Sequence, residues 1–310
     1  MNLYWSIFKN LESEVLNLAQ LIHFDEEQLT VYSVRIADLL IRCAVEIEAI
    51  SKDLYVKNEG QSNLSDKNGH TRDMYFDTDC LNFLEEKWKL STKEVIVANT
   101  NMYFSNDENK VLTPLRNANK RSDRGSDWKR AYQAVKHDRG NSLKKANIKN
   151  LIRSLAALYL LNIYYKEHEP ILLGKIQKLP DTSFGSHIFS LKAAACIFKF
   201  PNLKINLNNE MLKATHIIKP TDESCLAYHS EAKEAFRKQV DILVSAGYKE
   251  KQQEEISYPE VLELTLHFGG PELLAKVSAI DPSTSKFLTR LNYEAVLNKS
   301  SAIKIQEPGS

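Results

Sequence analysis

Apolar residues recur along the first third of the chain at helical spacing. Leu3, Ile7, Leu11, Val15, Leu18 and Ile22 predict a helix over residues 3–23. The pattern then thickens. From Thr30 to Lys57, Val34, Ile36, Leu39, Leu40, Ile41, Cys43, Ala44, Val45, Ile47 and Ile50 leave almost no polar side, so this longer helix is expected to be largely buried. Arg35, Asp38, Arg42 and Glu46 nevertheless form one polar stripe down it. Ionisable groups on a buried helix need partners. Two arrangements supply them: pairing within the helix at an exposed edge, Asp38 with Arg42 and Arg42 with Glu46, or a stripe that faces another functional helix.

Residues 60–71 read as a polar loop, and Leu81, Phe83, Leu84 and Trp88 as the contacts of a short helix over 79–88. The runs 94–104 and 110–115 flank the turn-formers Ser105 to Asn109, which predicts a hairpin. A basic loop, 116–125, leads to the segment Trp128 to Arg139. Ser126 stands at the N-cap position of a helix there, Asp127 in its first turn, and Gly140 just past its end. Trp128, Ala131, Tyr132 and Val135 fall on one side and should face a core. Arg130 and His137, seven apart, fall in line on the opposite side. Asn141 or Ser142 can cap a further long helix over 143–168.

Pro180, Asp181, Ser183 and Gly185 interrupt the helical pattern and suggest a boundary near 179–185. Beyond it the pattern is mixed. Residues 186–193, 204–207, 214–219 and 225–229 read as short strands, 231–246 as a helix, 258–267 as a helix or strand, and 271–280 as another helix. The tail after Asn298 reads as loose apart from 302–305. The expected fold is mainly α: a helical bundle with a hairpin insertion over residues 1–178, then a smaller α+β unit of unassigned role over 179–310.

Composition changes this picture at one place. The chain has 310 residues, 43% of them hydrophobic, and a formal net charge of +1, so the whole carries no polyanion signature. Residues 116–145, however, hold ten basic side chains against three acidic ones. Arg116, Lys120, Arg121, Arg124 and Lys129 there are the candidate contacts to a polyanion. The alternative is a basic loop that only aids solubility. Cys43, Cys80, Cys196 and Cys225 are scattered without metal-ligand spacing, as expected of reduced thiols in a cytoplasmic protein, and no metal or cofactor is expected. His216 and His229 lack acidic partners at ligand spacing and read as structural. The first ten residues do not read as a signal peptide, and the most apolar stretch, 151–165, is too short to span a bilayer. None of the glycine-rich phosphate loops, nucleophile elbows or zinc-protease motifs occurs.

What remains is Arg130 followed, after six residues, by His137, in a helical region with basic surroundings. In this the chain, over roughly residues 1–170, resembles the HEPN superfamily, helical bundles with an R-x(4 to 6)-H motif followed by one more long helix. The resemblance implies a metal-independent endoribonuclease with Arg130 and His137 as catalytic residues and RNA as substrate. It also implies a homodimer that unites two motifs, and, by family context, a toxin or antiphage effector with an antitoxin or defence partner. The residue after the motif arginine is usually polar in that family and is Ala131 here, so Arg139 or Lys136 is an alternative source of positive charge. Asp138 adjoins the motif, and Arg42 or Glu46 of the stripe is expected to contact it. Other members of the superfamily lack catalysis and bind nucleotides, RNA or proteins, and that is the competing expectation.

Overall fold

The computed structural model describes residues 3–61, 63–167, 169–175, 181–196, 198–199, 204–205, 208–246, 258–280 and 290–299. The predicted tail beyond 299 lies outside the described residues. The described part is mainly helical, with a smaller strand-containing C-terminal part.

Helix α1, Leu3–Leu21, buries Phe8, Leu11 and Val15 on one stripe, together with the acid Glu12. The short strand β1, Phe24–Asp25, and a 3-10 turn lead into α2, Val34–Lys57. This helix starts at the first residue of its apolar pattern and not at Thr30, because Ser33 caps it: the hydroxyl accepts the Ile36 N–H. A π turn, Phe76–Leu81, runs directly into α3, Asn82–Trp88.

The predicted hairpin is only partly realised. Strand β2, Val95–Val97, does pair antiparallel with β4, Val111–Leu112. Between them the chain leaves the sheet: β3, Met102–Tyr103, pairs parallel with β1. The turn-formers then make a one-turn helix, α4, Asp107–Lys110, capped by Asn106. The Glu26 carboxylate accepts the N–H groups of Ser105 and Asn106 and holds this excursion against the 3-10 turn.

Helix α5 spans Asp127–His137. The next long helix begins five residues later than predicted. Asp138 caps a short helix α6, Arg139–Ser142, by accepting the Asn141 N–H. Gly140 therefore lies inside a turn instead of ending a helix. After a 3-10 turn, Asn147 caps α7, Ile148–Lys166. Helix α7 packs against α1, α2 and α5, and Leu155 to Tyr164 are buried without a break.

Strand β5, Ile171–Gly174, opens the C-terminal part. The predicted strand over 186–193 divides into β6, Phe189–Leu191, and β7, Ala193–Ala195. These join different sheets. Strand β6 returns to β2, with Val97 opposite Phe189, to give the order β4-β2-β6. Strand β7 enters a four-stranded sheet of order β5-β11-β10-β7, built with β10, His216–Pro220, and β11, Tyr293–Leu297. The turnover point is Lys192, whose amine is held by Glu94 at 2.8 Å and Glu210 at 2.6 Å. Residues β8, Phe198–Lys199, and β9, Lys204–Ile205, form a separate pair, and α8 is Asn209–Lys213.

Two long helices complete this part. Helix α9, Asp222–Ser245, contains residues 225–229, which the pattern assigned to a strand. Thr221 starts the helix early by accepting the Ser224 N–H, and Asp222 and Glu223 suit its first turn. Helix α10, Tyr258–Ser278, runs through Pro271, so two predicted segments are one helix. Ile217 and Ile218 of β10 point to opposite faces of the sheet, one packing with Met211 of α8 and the other with Cys225 and Tyr228 of α9.

The helical core reaches past residue 185. Ile188, Phe189 and Leu191 belong to the same apolar cluster as Phe8, Leu40 and Leu158. Glu12, 1% exposed, secures that return: it accepts the Ser186 hydroxyl and the N–H groups of His187 (2.8 Å) and Ile188 (3.1 Å). Glu12→Ala removes the acceptor of the buried Ser186 hydroxyl and of the His187 N–H, and leaves the Ile188 N–H only its longer bond to the Ser186 hydroxyl at 3.2 Å. We expect a loss of about 3 kcal/mol in unfolding free energy, read from the shift in denaturant midpoint. Native-state proteolysis should then cut first near residues 181–191.

Candidate functional site

The apolar side of α5 lies where its spacing places it. Trp128, Ala131, Tyr132 and Val135 are all buried, and the Trp128 indole N–H donates to the Pro114 carbonyl at 2.8 Å. Ser126 stands at the N-cap without a side-chain cap bond. Burial and the neighbouring Glu48 of α2 push the Tyr132 phenol up to about 12.

The five candidate polyanion contacts divide into two groups. Lys129 is not a surface cation. It is 4% exposed, and its amine donates to the carbonyls of Ala118 (2.8 Å) and Lys120 and to the Asp77 carboxylate (3.2 Å). Its pKa is lowered by burial, against the opposing pull of Asp77. Arg121 is also committed: its guanidinium bonds Asp77 at 2.9 Å and lies over the Tyr75 ring at 4.3 Å. These two side chains fold the basic loop onto the π turn, which removes them from the set available to a ligand. Arg116, Lys120 and Arg124 are exposed and make no side-chain hydrogen bond or ion pair among the described residues.

The motif residues are both on the solvent side of α5 and are not brought together. Arg130 donates to Asp127 at 2.6 Å, one turn back toward the helix start. The other oxygen of Asp127 accepts from Arg153 of α7 at 2.8 Å. Burial raises the Asp127 pKa, but Arg130 and Arg153 outweigh it and hold the carboxyl below its ordinary value. His137 is exposed at the far end of the helix and has no hydrogen bond or ion pair among the described residues. Seven residues of helix separate the pair by a rise of about 10 Å. Lys136 lies over the Tyr132 ring at 5.4 Å, Asp138 is the cap of α6, and Arg139 is paired with Asp38 at 3.1 Å.

No ion pair among the described residues joins the stripe on α2 to itself; its partners lie on α1 and α6. Arg35 and Arg42 both grip Glu14 of α1, Arg42 at 2.7 Å. Burial raises the Glu46 pKa, with Arg42 opposing. Asp38, not Arg42 or Glu46, is the member that reaches the motif segment, through Arg139.

Beside α5 lies a cleft of about 1130 Å³. Arg130 lines it, with residues from α2, the π turn, the basic loop and the 3-10 turn before α7, whereas His137 is not among its lining residues. The patterns of hydrophobicity and charge point to α5 but carry no signal for Asp77, which meets α5 only in the folded chain. Asp127 was legible in principle, three residues before Arg130 on the same helix.

Among the described residues no group of three or more His, Cys, Asp or Glu side chains stands close enough to hold a metal ion. The four cysteines are buried and unpaired with one another. His216 is buried and stacks on Phe184 at 4.5 Å between ring centroids. Among the described residues no helix is long and apolar enough to cross a membrane. In comparisons with known proteins, the chain matches no family model, no curated protein and no solved structure.

Burial raises the pKa of Asp77, yet Arg121, the Thr78 amide and Lys129 more than offset it, so the net shift is downward. A carboxyl with a depressed folded pKa contributes stability above its unfolded pKa and loses it as pH falls through the folded value. Asp77→Asn should therefore cost about 3 kcal/mol near neutral pH, since it leaves a buried amine without its counter-charge. Chemical denaturation of both proteins across pH 2–7 should show that gap closing below the ordinary carboxylate range near pH 3.8.

Proposed function

We propose that this chain is a metal-independent endoribonuclease of HEPN type. The observation that carries the reading is the state of His137: an exposed imidazole with no hydrogen bond or ion pair among the described residues, on a helix whose opposite face is locked into the core. Histidine is the side chain that ordinarily exchanges a proton near neutral pH. In the proposed reaction an imidazole accepts the proton of a ribose 2′-hydroxyl as O2′ attacks the adjacent phosphorus. The P–O5′ bond breaks, the 5′-oxygen takes a proton, and a 2′,3′-cyclic phosphate remains. A guanidinium stabilises the charge on the phosphoryl oxygens.

Within one chain the helix rise keeps Arg130 and His137 from acting on the same phosphate. The proposal therefore includes a symmetric dimer in which one copy's His137 meets the other's Arg130. Arg130 must leave Asp127 to take part. A role as a toxin or antiphage effector belongs to the same proposal. A second reading, a non-catalytic RNA- or nucleotide-binding module, is favoured by two specific features: the cleft is lined by Arg130 without His137, and Asp127 already satisfies Arg130.

RNA cleavage by the purified protein in EDTA separates the two. On the ribonuclease reading the wild type cleaves, His137→Ala loses activity by about 100-fold or more, and cyclic phosphate ends are recovered. Cleavage by His137→Ala at the wild-type rate would dismiss that reading. Light scattering should find a dimer, and a fully active monomer would remove the shared site.

A further inference from the structure

We infer that the cleft beside α5 is the seat of a single-stranded RNA segment, held by Lys52, Lys144, Lys145 and Lys149 and stacked on Tyr75. The choice of RNA rests on the ribonuclease reading above, whereas the site itself rests on the cleft. The four lysines come from separate parts of the chain: Lys52 from α2, Lys144 and Lys145 from the 3-10 turn Leu143–Lys145, and Lys149 from the first turn of α7. All four line one cleft. None has an ion pair among the described residues, in contrast to Arg121, Lys129, Arg130 and Arg139.

The acids of the cleft do not cancel this charge. Asp77 is matched by Arg121 and Lys129, and Asp127 by Arg130 and Arg153. Glu48 lies against the neutral Tyr132 phenol, so Glu48 and Asp123 are the two acids of the cleft without an ion pair among the described residues, against four such lysines. The result is a concave surface with surplus positive charge, of a size beyond the roughly 300–1,000 Å³ usual for a single small ligand. A flexible polyanion fits that description.

The aromatic contribution separates a single strand from a duplex or an acidic peptide. Tyr75 is 43% exposed at the cleft, and two guanidiniums lie over its ring, Arg121 at 4.3 Å and Arg72 at 5.0 Å. The open part of the ring and the guanidinium planes packed on it offer a stacking surface for unpaired bases in a cleft that lysines also line, the arrangement by which grooves hold single strands without reading sequence. Arg130 also lines the cleft, so a strand seated there presents a phosphate to the motif arginine.

The test is fluorescence anisotropy with a labelled single-stranded RNA oligomer of about a dozen nucleotides, in EDTA, on the His137→Ala background so that the probe survives. Lys144→Glu combined with Lys145→Glu and Lys149→Glu should weaken binding at least tenfold. Loss of three single-strand phosphate contacts should also flatten the slope of log K against log salt by about 2. Tyr75→Ala should weaken binding roughly fivefold or more, while Tyr75→Phe retains it. Circular dichroism and thermal melts confirm that each variant folds. Unchanged affinity in the triple variant overturns the proposal. So does equal binding of duplex RNA, or preference for a poly-glutamate peptide, which would make the cleft a protein-docking site. Equal binding of single-stranded DNA overturns the choice of RNA. The two proposals fail separately: a triple variant that binds normally while His137→Ala is inactive removes the cleft and keeps the ribonuclease. A triple variant that loses binding while His137→Ala cleaves like wild type does the reverse.

Discussion

The buried amine of Lys129 is the constraint on which the site's shape depends. A cation at 4% exposure has exchanged water for three oxygens, two of them loop carbonyls and one the carboxylate of Asp77. Such a group is costly to bury unless every donor finds an acceptor. The loop from Pro114 to Gly125 is therefore pinned at several points: Trp128 holds Pro114, Lys129 holds Ala118 and Lys120, and Arg121 clasps the same carboxylate from outside. The loop has little regular structure of its own, and α5 provides its scaffold. The walls of the cleft and the position of Tyr75 follow from that anchoring.

Helix α5 was legible because its core face repeats at the helical period and its solvent face is strongly polar. Trp128, Ala131, Tyr132 and Val135 went where spacing puts them, and so did Arg130 and His137. Lys129 was not legible. On the helix it sits at the margin of the apolar face, and only the loop that closes over it decides that it is inside. The same limit applies to Asp77 and Asp127. Periodicity reports which side of a helix is apolar, but it is silent on which distant carboxylate will meet a given cation.

The strands show a related limit. Residues 186–193 read as one extended run, and local pattern has no reason to divide them. The division is made by partners from far away in sequence: Glu12 grips the first part and β2 pairs with it, while β10 takes the second. The helix over 222–245 swallowed a predicted strand for the opposite reason, since its start is local, set by Thr221 and two acids. Capping chemistry outweighed a short apolar run.

Helix α7 carries a consequence for how the chain is made. Its residues from Leu155 to Tyr164 have no solvent side, and α1, α2 and α5 all rest on it. A ribosome delivers α1, α2 and α5 first, each with an apolar face whose natural cover has not yet been synthesised. Until residue 166 emerges, the nascent chain presents a long greasy surface to the cell. The central position of a late helix makes the folding of the first half an event that waits for its own last element.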